Sequence, residues 1–218
     1  MMKGTYGDNF SMIKDAQHIK TEIIDLFLKD NDLDLIVSEF PFFKGKRLAD
    51  LIFIKRDEII AFEIKSEKDS LQNLLAQLKD YALVFNTVYA VIADKFIEAK
   101  EIKKIPSSIG IIVVPDNDPP YIKRNATKRK RIGKKYLLSL LWKKDLLALI
   151  NKKTQDSMEK NREIAAKSNT VLQIQEHSIK SLKARYLQSY KMFLQDRGNY
   201  TAIEDLRTIT GLKKNLSV

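Results

Sequence analysis

Residues 47–81 read RLADLIFIKRDEIIAFEIKSEKDSLQNLLAQLKDY, in which two short apolar runs are separated by a charged turn. The runs cover residues 48–54 and 59–64, and the turn covers residues 55–58. Apolar runs of this length around a polar turn are typical of a β-hairpin. The helical spacing of the leucines in residues 71–78 predicts that the hairpin leads into a helix. We therefore expect an α/β fold built around this hairpin.

The hairpin places three charged side chains on one face. A turn centred between residues 56 and 57 sets Asp50 directly opposite Glu63, and side chains so opposed lie about 5 Å apart. Lys65 returns to the same face, because side chains alternate along a strand. Oxygen ligands of this kind are those that Mg²⁺ prefers. Since charged residues are seldom buried without a partner, the convergence indicates a functional site. A structural ion pair between Glu63 and Lys65 is the alternative.

The arrangement of Asp50, then Glu63-Ile64-Lys65, then a helix carrying Gln-x-x-x-Tyr resembles the PD-(D/E)xK nuclease superfamily. Within it, residues 35–115 are similar to a group of small bacterial and phage proteins. The segments that carry the similarity are Arg47-Leu-Ala-Asp50, Phe62-Glu-Ile-Lys-Ser66, Asp69-Ser-Leu71, Gln77-Leu-Lys-Asp-Tyr81 and Val88-Tyr-Ala-Val91. There are two departures from the pattern. Ala49 replaces the proline that names the superfamily, and Asn73 stands where the group has a basic residue.

The resemblance implies a restriction-endonuclease-like core and Mg²⁺-dependent hydrolysis of phosphodiester bonds, with Mn²⁺ able to replace Mg²⁺. Asp50 and Glu63 would hold the metal together with the carbonyl of Ile64. Lys65 would orient or activate the attacking water, or stabilise the transferring phosphate. Such a metal lowers the pKa of its bound water and offsets charge in the transition state.

Four further residues follow from the resemblance, two as catalytic candidates and two as secondary metal ligands. Gln77 and Tyr81 lie on one helical face, where the amide would contact water or phosphate and the hydroxyl would position Lys65. Packing of Tyr81 in the core beside an exposed Gln77 is the alternative. Glu22 on the first helix and Glu39 on the first strand are both candidates to complete the metal site.

The net charge of +11 is unevenly distributed. Residues 1–120 carry a net charge of −4, whereas residues 121–218 carry +15. A basic stretch that follows a candidate metal site favours phosphate contacts, although a solubilising tail or linker is the alternative. DNA is the expected partner, RNA stays open, and so does a homodimer. The candidate nucleic-acid ligands are Lys123, Arg124, Lys128, Arg129, Lys130, Arg131, Lys134 and Lys135.

Composition excludes several classes of function. The chain has no cysteine, which excludes disulfides and thiolate zinc sites. Its only histidines, His18 and His177, are far apart in sequence, which argues against a Ser-His-Asp triad and histidine-dependent nuclease chemistry. No apolar run reaches the roughly 18 residues of a membrane span, and no signal-peptide pattern is present. We expect a cytoplasmic protein.

The remaining pattern divides the chain into a nuclease-like core at residues 1–120, a basic segment at 121–135 and a helical extension at 136–218. Helices are predicted at residues 14–30, 95–104, 136–150, 157–168 and 178–196. Further strands are predicted at 35–40, 87–93 and 109–114. We therefore expect a mixed sheet with helices on both faces. Two alternative functions stay open, a non-catalytic nucleic-acid-binding or assembly protein with the nuclease fold, and a module that binds an acidic protein.

Overall fold

The protein is built on one six-stranded mixed sheet whose strand order follows the sequence. The computed structural model describes residues 14–29, 32–151 and 155–212. The first three strands are antiparallel, the third to fifth are parallel, and the sixth is antiparallel to the fifth. The strands are β1 (Leu35–Phe42), β2 (Arg47–Lys55), β3 (Glu58–Lys65), β4 (Thr87–Ala93), β5 (Gly110–Val114) and β6 (Tyr121–Arg124).

Helices flank the sheet, which confirms the predicted mixed α/β class. Asp15 begins the first helix by accepting hydrogen bonds from the backbone N–H groups of Gln17 and His18, as expected for an N-cap aspartate. The described residues also form two 3₁₀ helices, Asp94–Phe96 and Glu204–Arg207. The α-helices are α1 (Ala16–Leu28), α2 (Leu74–Val84), α3 (Lys100–Lys103), α4 (Lys134–Ser139), α5 (Lys143–Ile150), α6 (Met158–Ser168) and α7 (Val171–Asp196).

The β2–β3 hairpin has the predicted register. Leu51 pairs with Phe62, and Lys55 pairs with Glu58 at the turn. Arg56 adopts the left-handed conformation there, with φ of 57°, which suits the tight connection between twisted antiparallel strands. Asp50 and Glu63 therefore occupy the next position beyond the Leu51–Phe62 pair.

The parallel part of the sheet forms the centre of the core. Every residue of β4 and β5 is buried, as predicted for strands covered on both faces. The ring of Tyr89 stacks on Phe62 with centroids 5.6 Å apart. A Cβ atom at Gly110 would lie 2.3 Å from the Tyr89 ring. Glycine at this position therefore leaves room for the tyrosine beside the sheet.

The predicted helix at residues 136–150 is two helices, α4 and α5. Trp142 is extended between them, with φ of −80° and ψ of 170°. The Asp145 carboxylate accepts a hydrogen bond from the Trp142 backbone N–H at 3.0 Å. A cap of this kind starts a new helix, so the apolar pattern continues across a break in the backbone.

The helical extension packs against the sheet. Ile179, Leu182, Tyr190 and Phe193 of α7 belong to the same buried core as the strands. Farther along, the Ser38 N–H of β1 donates a hydrogen bond to the Ile209 carbonyl, and the Ser38 carbonyl accepts one from the Gly211 N–H. The basic segment likewise contributes β6 to the sheet. Within the described part of the chain, no helix combines the length and apolarity that crossing a membrane requires.

Candidate functional site

Three acidic residues occupy neighbouring positions across β1, β2 and β3. The pairs on either side of Glu39, which are Ser38–Leu51 and Phe40–Ala49, set Glu39 opposite Asp50. The hairpin register sets Asp50 opposite Glu63. Glu39 has a φ of 52° and interrupts the ladder between its neighbours. Left-handed backbone at a residue other than glycine is strained, and such strain is concentrated at functional sites.

The structure brings Asp50, Glu63 and Lys65 together. The Asp50 Oδ2 atom accepts a hydrogen bond from the Ile64 backbone N–H at 2.8 Å. The Lys65 Nζ atom lies 2.9 Å from Glu63 Oε1, and the Glu63 side chain is only 2% exposed. The two carboxylates and the ammonium predicted to converge on one face of the hairpin thus form one contiguous charged cluster.

A second lysine, Lys20, enters this cluster from α1. Its side chain is buried and forms an ion pair with Glu39. Burial lowers the pKa of Lys20, while the negative charges of Asp50 and Glu63 act in the opposite direction. Sequence reasoning missed this residue. The available signal was its position on the buried face of α1 that also carries Ile23 and Ile24, where a lysine needs a charged partner.

The electrostatics of Asp50 are strongly perturbed. Burial and the nearby Glu63 carboxylate raise the pKa of Asp50 from 3.8 to about 6. The Ile64 N–H and the charges of Lys20 and Lys65 act in the opposite direction but do not cancel the rise. A carboxyl group shifted both by burial and by a like charge is characteristic of functional sites.

Tyr81 supports the strand that carries Asp50. Its hydroxyl accepts a hydrogen bond from the Asp50 backbone N–H at 3.2 Å and donates one to the Leu48 carbonyl at 3.3 Å. Burial, followed by the charges of Glu63 and Asp50, raises the pKa of Tyr81 well above its usual value. Tyr81 is therefore a neutral hydroxyl that fixes the backbone beneath the cluster.

Gln77 faces a small cavity beside the cluster. The cavity has a volume of about 280 Å³, and its lining includes Lys65, Arg47, Ser70 and Asn73. The buried Gln77 Oε1 atom has no hydrogen-bond partner within the described part of the chain. Since a buried acceptor without a partner is costly, the cavity is suited to a ligand or water that donates a hydrogen bond.

The donor set fits a hard divalent cation with a small protein ligand set. Asp50, Glu63 and the Ile64 carbonyl offer oxygen atoms, and Mg²⁺ commonly uses one or two carboxylates and keeps several waters. Among the described residues, no three acidic or histidine side chains gather into a metal-binding group. The Glu39 carboxylate is paired with Lys20 instead. A metal here would therefore rely on the two hairpin carboxylates.

Glu22 lies outside the cluster. It forms an ion pair with Lys14 at 2.8 Å and lines a separate cavity with Asp25, Asp116 and Asp118. Two residues along a helix correspond to a rotation of about 200°, so Glu22 and Lys20 point in different directions from α1. Of the two secondary acidic candidates, only Glu39 lies beside Asp50.

The densest basic run lies at the other end of the sheet from the cluster. Lys128 forms ion pairs with Asp57 and Glu58 at the β2–β3 turn, both at 3.2 Å. The Arg129 backbone bonds to the backbone and side chain of Asn86, just before β4. Glu63 lies five residues beyond Glu58 along β3, which is roughly 16 Å at 3.3 Å per residue.

The other predicted nucleic-acid ligands fall into two groups. Arg124 donates to the carbonyls of Ile105, Pro106 and Ile109, and Lys134 donates to the carbonyl of Ala166 at 2.7 Å. These two cations are engaged in holding the fold. The members with exposed side chains are Lys123, Lys128, Arg129, Lys130, Arg131 and Lys135.

Comparisons with known proteins give one clear relationship. Residues 11–210 match the family described as bacteriophage P4 protein cII. Protein cII of Enterobacteria phage P4 is 31% identical over 209 residues, covering 91% of this chain and 78% of that protein. Among solved structures, a protein of unknown function from Silicibacter pomeroyi is 15% identical, with a TM-score of 0.39 over 81% of this chain and 91% of that one.

Proposed function

The chain belongs to the bacteriophage P4 protein cII family, and we propose that it is a Mg²⁺-dependent nuclease that hydrolyses phosphodiester bonds in DNA. The observation that carries the proposal is the placement of Asp50 opposite Glu63 on the β2–β3 hairpin, with Lys65 in an ion pair with Glu63 and the Asp50 pKa raised to about 6. The resemblance of these residues to the PD-(D/E)xK pattern supports the same chemistry.

Asp50, Glu63 and the Ile64 carbonyl would hold the metal. When bound, Mg²⁺ would lower the pKa of its bound water and offset the charge on the phosphate in the transition state. The chain itself positions these donors, because the Ile64 N–H fixes the Asp50 carboxylate and the Tyr81 hydroxyl fixes the Asp50 backbone. No side chain is needed as a covalent nucleophile.

Two groups on the cavity wall would act on the phosphate and the attacking water. The Lys65 ammonium, held beside Glu63, would donate to a non-bridging phosphate oxygen. The Gln77 Oε1 atom would accept a hydrogen bond from the attacking water, which satisfies an acceptor otherwise buried without a partner. Arg47 lines the same cavity and has a half-exposed side chain paired with Asp80 at 3.0 Å. It would contact the next phosphate.

One observation favours a second candidate function, a non-catalytic nucleic-acid-binding protein that retains the nuclease fold. Lys20 and Lys65 place two positive charges within the carboxylate cluster. These charges offset the carboxylates without a metal, and Lys20 engages the third acid. In this alternative the cluster is a structural ion network, and nucleic-acid binding survives metal chelation.

A cleavage assay separates the two functions. Purified protein is incubated with linear, circular, single-stranded and branched DNA, and with RNA, in Mg²⁺, Mn²⁺ or EDTA. Asp50→Asn, Glu63→Gln and Lys65→Ala should each abolish cleavage. Glu22→Gln is the matched control, since it removes the same charge outside the cluster. Wild-type cleavage rates in all three cluster variants, purified in parallel, would reject the nuclease proposal.

A further inference from the structure

The helical extension contains a groove lined by five cations, three of which form ion pairs with acids outside the lining. A cavity of about 530 Å³ lies where the β1–β2 turn meets the junction of α4 and α5. Around Trp142, its wall carries the five cations Lys44, Lys143, Lys144, Arg162 and Arg185, and the described lining residues include no acid. We call this cavity the Trp142 groove. Trp142 is the single tryptophan of the chain.

The Trp142 ring is fixed from behind by a buried ion pair. The Arg185 guanidinium carbon lies 3.7 Å from the ring centroid. Arg185 is only 7% exposed and pairs with Asp145 at 2.7 Å. Asp145 in turn accepts the Trp142 backbone N–H. The same carboxylate thus caps α5 and anchors the arginine on which the indole rests, so the ring is held in a defined orientation.

The Trp142 residue is nevertheless 39% exposed. Lys143 and Lys144 beside it are both exposed, and the Lys144 Nζ atom lies 5.7 Å from the ring centroid. An oriented aromatic ring among exposed cations matches the chemistry of single-stranded nucleic-acid binding. In such sites a base stacks on the ring while lysines contact the flanking phosphates. A duplex conceals its base faces, so an unpaired nucleotide is the better fit.

We infer that the Trp142 groove binds single-stranded nucleic acid, with a base stacked on Trp142 and adjacent phosphates on Lys143 and Lys144. This inference deepens the proposed function, since it takes nucleic acid as the ligand. The groove shares Lys44 and Arg162 with a neighbouring cavity that is also lined by Lys46. Arg47, the next residue, lines the cavity of the carboxylate cluster. The β1–β2 turn therefore links the groove to the proposed nuclease site.

Tryptophan fluorescence, excited selectively over the tyrosines, tests the stacking directly, because the chain contains one tryptophan. The full-length protein is titrated in EDTA with a short oligothymidylate, and separately with an abasic strand of equal length and charge. The oligothymidylate should quench Trp142 and bind roughly tenfold or more tightly than the abasic strand, given the usual contribution of a stacked base. Equal affinity for the two strands would overturn the stacking.

Variants test the same groove by anisotropy of a labelled oligothymidylate. Trp142→Ala should weaken binding roughly tenfold or more, and Trp142→Phe should retain part of the affinity. Replacing Lys143 and Lys144 with alanine should reduce the slope of log affinity against log salt by about 1.4. Lys100→Ala with Lys104→Ala is the matched control, since it removes two exposed lysines at the two ends of α3. Thermal unfolding confirms that each variant is folded.

The outcomes separate this inference from the proposed function. Binding is measured in EDTA, so binding to the Trp142 groove can be detected even if the protein has no cleavage activity. If the wild-type protein cleaves no substrate but its fluorescence is still quenched, only the nuclease proposal is rejected. Wild-type affinity in folded Trp142→Ala and in the Lys143–Lys144 double variant would reject the groove, whatever the cleavage assay shows.

Discussion

Lys20 of α1 forms an ion pair with Glu39 of β1, directly beside the Asp50 and Glu63 carboxylates. The buried Lys20 ammonium of α1 thus lies close to the carboxylates of the strands. Breaking a buried pair by removing one partner costs more than the pair itself contributes, because the remaining charge loses its compensation. Lys20 therefore couples the packing of α1 to the charge state of the cluster.

Replacing Lys20 with methionine, which has a similar length, should destabilise the metal-free protein. The expected loss is up to about 3 kcal/mol, since Glu39 keeps some contact with solvent. Mg²⁺ should restore more of this stability than it adds to the wild type, because it replaces the lost positive charge. Thermal unfolding with and without Mg²⁺ measures the effect. Lys14→Met, just before the same helix, is the control, and equal Mg²⁺ stabilisation in all three proteins would contradict the coupling.

Asp50→Asn should stabilise the metal-free protein at neutral pH. The pKa of Asp50 is raised from 3.8 to about 6, so the folded state holds this proton more tightly than the unfolded state. Its contribution to stability is fully present below pH 4 and is lost as the pH rises through 6. The variant escapes this loss and should gain about 3 kcal/mol at pH values well above 6.

Urea unfolding in EDTA at pH 4 and pH 7.5 measures this difference for Asp50→Asn. The matched control is Asp57→Asn, because Lys128 lowers the pKa of that exposed carboxyl. The control should show no gain at pH 7.5. An Asp50→Asn gain that is equal at both pH values would show that titration of this group is not its cause.

Metal binding should distinguish Glu39 from Glu22. Calorimetry should show weak Mg²⁺ binding and tighter Mn²⁺ binding to the wild type. Glu63→Gln should weaken Mn²⁺ binding most, because it removes a direct ligand charge. Glu39→Gln should weaken it less, and Glu22→Gln should leave it unchanged because Glu22 lies in another cavity. Equal effects of Glu39→Gln and Glu22→Gln would mean that proximity to Asp50 does not matter.

Tyr81→Phe should separate positioning from metal binding. The ring would still pack against Phe42 and Phe85, but the Asp50 N–H would lose its hydrogen-bond acceptor. An unsatisfied buried donor costs about 1–3 kcal/mol. Cleavage should slow through kcat, while the Kd for Mn²⁺ stays within a fewfold of wild type. Tyr121→Phe on the exposed strand β6 is the control. Unchanged stability of Tyr81→Phe would show that the Tyr81 hydroxyl does not hold the Asp50 backbone.

Replacing residues 128–131 with alanine should weaken duplex DNA binding without altering metal affinity or cleavage at saturating DNA. Each lost phosphate contact lowers the slope of log affinity against log salt by about 0.9. The change should fall short of four contacts, because Lys128 already pairs with Asp57 and Glu58. An unchanged slope would identify this run as a structural connection anchored at Asn86.

The hairpin and its charged face could be predicted from the sequence because both depend on local rules. Strand alternation and the turn length fix which residues share a face, so the positions of Asp50, Glu63 and Lys65 relative to one another follow from residues 47–65. The buried parallel strands follow equally from their continuous apolar runs. The register of Leu51 with Phe62 confirms this part of the reasoning.

Helix boundaries within the extension depended on a single side chain. The leucine pattern of residues 136–150 predicts one helix, but the Asp145 carboxylate captures the Trp142 N–H and starts a second one. Apolar periodicity continues across such a break, because both helices pack on the same small core. The leucine pattern therefore predicts which side chains are buried but not where the backbone changes direction between them.

The sequence by itself determined strands β1 to β5, the hairpin register and the shared face of Asp50, Glu63 and Lys65, because apolar runs and strand alternation are local features of the chain. It did not predict β6, which lies in the basic segment. Only the tertiary structure decided that Lys20 joins the cluster, that Glu22 does not, and that residues 128–131 lie at the far end of the sheet. It also placed Trp142 and Arg185 in one groove. These relationships depend on how helices rotate and dock against the sheet, and that docking is set by contacts between residues distant in sequence.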